Sequence, residues 1–122
     1  MKLNLSTNVG VNAITGHGDG LVAVNNKQIG HALIVMTEKV IDPWNIADAS
    51  ALTLIDFAVL LELKPELVVF GSGRIFRFPD ARIMAAFTQA RIGFEVMDTP
   101  AACRTFNVLA SEGRNVAAAL LV

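Results

Sequence analysis

Apolar and polar positions change their spacing once along this chain, near residue 50. Before that point short apolar runs alternate with turn residues. Ala13-Ile14-Thr15 leads into Gly16-His17-Gly18-Asp19-Gly20, and Leu21-Val22-Ala23-Val24 leads into Asn25-Asn26. Asparagine tolerates positive φ, so a tight hairpin is expected at Asn25-Asn26. Residues 32–36 and 39–41 complete a predicted antiparallel meander, which Asp42-Pro43-Trp44 breaks. Trp44 is read as a cover over the core or as an interface anchor.

From Thr53 the period becomes helical. Thr53 with Asp56 three residues later resembles a capping box, and Leu54, Phe57, Ala58 and Leu61 fall on one helical face. Lys64-Pro65 stops that helix. Leu67-Val68-Val69-Phe70 reads as a buried strand running into Gly71-Ser72-Gly73-Arg74. A second helix is predicted over 80–91, with Ile83, Ala86, Phe87 and Ala90 as its core stripe and Gly93 ending it. Phe94 to Met97 is the next strand. Thr99 is expected as the N-cap of a third helix, with Pro100 at its first position, and 116–122 as the last strand. Helices alternating with strands imply parallel pairing and right-handed crossovers. The fold class expected is therefore α/β: a mostly parallel sheet with its helices, and an antiparallel sheet from the first half laid against it. All 122 residues are read as one domain.

Composition sharpens this. Hydrophobic residues make up 53% before the nine glycines are counted, and charged residues 17%, against roughly 45–50% and about 25% in ordinary domains. Strands buried on both faces, or a surface made for a partner, account for such an excess. The net charge of −1 gives no electrostatic case for nucleic acid. The four lysines lie within 1–64 and the six arginines within 74–114, leaving net −3 over residues 1–73 and +2 over residues 74–122. No apolar run approaches the length that spans a membrane. Met1 to Ser6 lacks a signal-peptide core, and the single cysteine suits a reducing compartment. A cytoplasmic protein is expected.

Open α/β sheets bind ligands beyond the carboxyl ends of their strands. Two such loops stand out, Gly71-Ser72-Gly73-Arg74 and Asp98-Thr99. If they meet, the N-terminus of the third helix offers free N–H groups and partial positive charge to a small anion, with Arg104 one turn inside and Asn107 on the same arc. Arg104 paired with Asp98 or Glu112 is the structural alternative. Cys103 lies where a thiol pKa can fall, but His17 and His31, the only histidines, are distant in sequence. His17 and Asp19 lack a third metal ligand. Asp98 and Glu112 flank the helix as a conceivable acid/base pair. No cofactor motif and no catalytic set emerges.

The segment from Glu95-Val96-Met97-Asp98-Thr99 to Ala117-Ala118-Ala119-Leu120 resembles the signature of the family of the mitochondrial complex I assembly factor 3 and the adipogenesis-associated domain-containing protein. The similarity extends to Trp44, the 52–61 helix and Val68-Val69-Phe70-Gly71-Ser72-Gly73. It implies a three-layer α/β fold with a central mixed, mostly parallel sheet, helices and an additional antiparallel β layer, no catalytic residues to carry over, and a non-enzymatic role involving a protein partner in assembling NADH:ubiquinone oxidoreductase.

Overall fold

The computed structural model describes residues 11–122, so the reading of Met1 to Ser6 lies outside the described residues. The small sheet consists of β1 (Ile14–Gly18), β2 (Leu21–Val24) and β3 (Lys27–Ile29), all antiparallel. The hairpin joining β2 to β3 turns at Asn25 and Asn26, both with positive φ, as expected. The central sheet takes β4 (Leu33–Met36), β5 (Val40–Ile41), β6 (Leu67–Ser72), β7 (Gly93–Met97) and β8 (Val116–Leu121), in the order β5-β4-β8-β6-β7. Strand β6 is parallel to both β7 and β8, while β4 is antiparallel to β5 and β8. The predicted meander is thus divided: its last two strands join the central sheet, and half of that sheet's pairings are antiparallel. Period-2 alternation alone does not say which sheet a strand enters, because pairing is settled by distant partners.

Strands β4, β6 and β8 are buried on both sides, and successive residues enter different cores. Leu33, Val35, Val69, Val116, Ala118 and Leu120 face one core, while Ile34, Val68, Phe70, Ala117 and Ala119 face the other. The first core is covered by the small sheet and by α3 (Thr99–Ser111). The second lies under a 3₁₀ turn (Leu54–Phe57), α1 (Ala58–Leu63) and α2 (Ala81–Gln89). At its centre Phe57 sits 5.3 to 6.0 Å from the rings of Trp44, Phe70, Phe87 and Phe94. The methyl groups of Ala117 and Ala119 face this core, leaving room for large aromatic rings. Trp44 is a core residue whose indole Nε1–H donates to the Asp56 carbonyl at 2.8 Å.

Three local expectations need correction. Asp56 accepts the Thr53 N–H as predicted, but the first turn is 3₁₀, so Phe57 and Leu60 are buried while Leu54 and Ala58 are exposed. At three residues per turn the stripe runs ahead of α-helical phase. In α2, Ile83 and Phe87 are buried but Ala90 is exposed. That helix ends at Gln89 with Ala90 as its C-cap, Arg91 after it turns the chain with φ 61°, and Gly93 begins β7. A Cβ at Gly93 would lie 2.8 Å from Leu67 Cδ1, so a side chain there would require the end of the Leu67 side chain to shift.

Candidate functional site

The loops after β6 and β7 do meet. The Thr99 N–H donates to the Gly73 carbonyl at 2.8 Å. Its hydroxyl accepts the Gly73 N–H at 2.9 Å and donates to the Leu121 carbonyl at 2.5 Å. Thr99 is buried and latches three strand ends together. Gly71 makes this approach possible, since a Cβ there would lie 2.9 Å from Thr99 Oγ1 and 3.0 Å from Thr99 Cα.

Thr99 is therefore not the N-cap. That position belongs to Asp98, whose carboxylate accepts the Ala101 N–H at 2.8 Å, with Thr99 and Pro100 as the first helical residues. A carboxylate at a helix N-terminus satisfies an orphan donor and answers the helix dipole. The partial positive charge considered for an external anion thus already faces an internal one.

The remaining expected residues separate. Cys103 is buried among apolar side chains of the first core, and burial pushes its thiol up to about 11. It is protonated at neutral pH, which removes it as a nucleophile. Asn107 clamps β1 through two hydrogen bonds, its Oδ1 accepting the Ile14 N–H at 3.0 Å and its Nδ2 donating to the Ile14 carbonyl at 2.7 Å. Arg104 is exposed and forms no ion pair among the described residues, with Asp98, Glu112 or any other acid. Asp98 and Glu112 stand at opposite ends of α3, about 20 Å apart at 1.5 Å per residue, too far to act as a pair. Arg74 reaches Asp19 of the small sheet at 3.6 Å, both side chains exposed.

The carboxyl edge of the sheet is concave elsewhere. A cleft of about 340 Å³ opens beyond the ends of β6 and β8, with Phe70, Ser72 and Leu121 in its floor. One wall is residues 49–53 and the other is Arg77, Phe78, Pro79 and Asp80. Ser72 holds the second wall in shape, its hydroxyl donating to the Ile75 carbonyl at 2.8 Å and accepting the Arg77 N–H at 3.0 Å. Asp80 caps α2 by accepting the Arg82 N–H at 2.8 Å and also pairs with the Arg82 guanidinium, which holds its carboxyl down to about 2.

Around the mouth the chain exposes large apolar side chains. Ile75, Phe76 and Phe78 are 68%, 50% and 63% exposed, and the two rings meet edge to face at 4.8 Å. Arg74 and Arg77 are exposed in the same loop, and Arg82 is exposed in the first turn of α2. Of the expected residues, only Ser72 lines this cleft. Ile75-Phe76-Arg77-Phe78-Pro79 carried a readable signal, three large apolar residues within four positions and outside any periodic element.

Residues 14–121 match the family described as "protein of unknown function (DUF498/DUF598)". The NADH dehydrogenase [ubiquinone] 1 alpha subcomplex assembly factor 3 of Homo sapiens is 40% identical over 80 residues, covering 64% of this chain and 44% of that protein. The chain spans about half the length of the curated assembly factors it matches. A crystal structure of a protein from Bordetella parapertussis superimposes with a TM-score of 0.84 at 32% identity, covering 92% of this chain and 96% of the other. The crystal structure of an outer membrane protein from Bartonella henselae gives a TM-score of 0.81 at 26% identity, covering 93% and 96%. Among the described residues no helix is long and apolar enough to cross a membrane.

Proposed function

The chain belongs to the DUF498/DUF598 family, and from that premise we propose that it is a protein-binding module that helps assemble a multisubunit respiratory complex. The observation that carries this reading is the exposed aromatic loop. Three large apolar side chains within four residues are held outward at the carboxyl edge of the sheet. Contiguous exposed apolar surface of this kind marks interaction sites, and aromatic and arginine side chains are enriched where binding energy concentrates. Phe76 and Phe78 supply the rings. Arg77, which forms no ion pair among the described residues, supplies a basic group that suits an acidic border on the partner. The names of the assembly-factor relatives support the role. The buried, protonated Cys103 agrees with action by binding rather than by thiol chemistry, and a cytoplasmic setting suits a free thiol.

The test is complementation in the protein's own cells after deletion of its gene. Wild type and Val108→Ser, altered at an exposed position on α3, should restore assembled NADH dehydrogenase on native gels. Phe76→Ser/Phe78→Ser should fail while melting like wild type. Full restoration by the double variant would refute the proposal.

A further inference from the structure

We propose that the cleft beyond the ends of β6 and β8 binds a small monocarboxylate with an apolar body, held by Arg77. Its volume of about 340 Å³ lies within the range of small-molecule sites, roughly 300–1,000 Å³. Its position beyond the carboxyl ends of adjacent parallel strands is where open α/β sheets take ligands. The floor is apolar, with Phe70 and Leu121, and Leu52, Phe78 and Pro79 continue that character up the walls.

The polar groups of the cleft decide the ligand class, because nearly all of them are already committed. The Ser72 hydroxyl donates to Ile75, the Ser50 hydroxyl to Asp48 at 2.7 Å, and the Thr53 hydroxyl to Asp56 at 3.3 Å. The Asp80 carboxylate is occupied by the Arg82 guanidinium and N–H. The Arg77 side chain alone among the charged wall groups forms no ion pair among the described residues. A ligand rich in hydroxyls would find few free donors here. A carboxylate would find one planar, permanently charged fork that matches it bidentately. A dianionic phosphate fits less well, since the wall offers one unpaired cation and places Asp80 on the same rim.

The cleft shares Arg77 and Phe78 with the protein-binding surface, whereas Phe76 lies outside its wall, and ligand binding by the purified protein succeeds or fails independently of complementation in cells. Octanoate and 3-phenylpropionate are suitable probes, with their methyl esters and inorganic phosphate as controls, followed by amide NMR spectra and calorimetry. The expected result is saturable shifts at residues 49–53, 70–72 and 77–80 with the acids. The esters and phosphate should bind at least about tenfold more weakly. Arg77→Gln, which keeps the backbone N–H that Ser72 receives, should weaken the acids at least about tenfold, while Arg104→Gln, at an exposed position on α3 outside the cleft, leaves them unchanged. Absence of saturable shifts, shifts centred elsewhere, or wild-type affinity in Arg77→Gln with a well-dispersed spectrum would each overturn the proposal.

Discussion

Substituting Gly71 by alanine should destabilise the protein far more than one methyl group suggests. The new Cβ would stand 2.9 Å from Leu120 Cδ2, 2.9 Å from Thr99 Oγ1 and 3.0 Å from Thr99 Cα. Leu120 can turn its side chain aside, but the Thr99 backbone cannot move without carrying the first turn of α3 with it. Overpacking of this kind costs about 1–3 kcal/mol. Moving Thr99 also stretches its hydrogen bonds to Gly73 and Leu121, each worth about 1 kcal/mol net. The expected loss is roughly 2–4 kcal/mol, or a fall in Tm of order 10 °C for a domain of this size. Urea unfolding followed by fluorescence of Trp44, the single tryptophan, measures it directly. Thr99→Ala removes one of the three contacts. The double variant should therefore lose less than the sum of the single losses, by about 0.5 kcal/mol or more. A Gly71→Ala protein within about 0.5 kcal/mol of wild type would refute the claim that Thr99 latches the strand ends.

Cys103 should react with aromatic disulfide reagents only at the rate of unfolding, and it should give the protein an alkaline weakness. Its thiol is raised from 9.0 to about 11 by burial, so stability is full below pH 9 and falls from pH 9 to 11, where only the unfolded thiol ionises. The fall is about 2–3 kcal/mol. The protein has no tyrosine to add to this slope, and comparing the unfolding free energy of Cys103→Ala with wild type across that window isolates the thiol; equal slopes would contradict the burial. Asn107→Ala should cost about 1–3 kcal/mol, because it leaves the Ile14 N–H and carbonyl without their partner. Hydrogen exchange should then quicken at Ile14 before it does in the central sheet, and unchanged exchange there would show that β1 is held by other contacts.

Much of the architecture was legible because it rests on local chemistry. The presence of a helical segment after Thr53 (though not its buried face), the Asp56 cap, the asparagine turn and the apolar run at 116–122 each follow from residues close in sequence, and the family resemblance lay in the segment that includes α3. What was hidden depends on distant neighbours. Nothing near β4 says that it pairs with β8 rather than β3. The N-cap lies one residue earlier than expected because Asp98 and Thr99 are both competent caps, and burial of the Thr99 hydroxyl against Gly73 and Leu121 decides between them. Asn107 looked like part of a polar arc open to a ligand, yet the packing of β1 against α3 turns it into a clamp. Arg77 and its aromatic neighbours belong to no periodic pattern: their apolar clustering is visible in the sequence, but only the folded loop shows them standing outward.

The most direct test of the protein-binding reading is site-specific photo-crosslinking in the protein's own cells, with the probe at position 76 and, separately, at position 108. Both side chains are exposed, but they belong to different elements. Position 76 should capture a subunit of NADH dehydrogenase or of another multisubunit respiratory complex, and position 108 should not. Equal capture from both positions, or no such subunit from position 76 while the protein is folded and abundant, would contradict that reading.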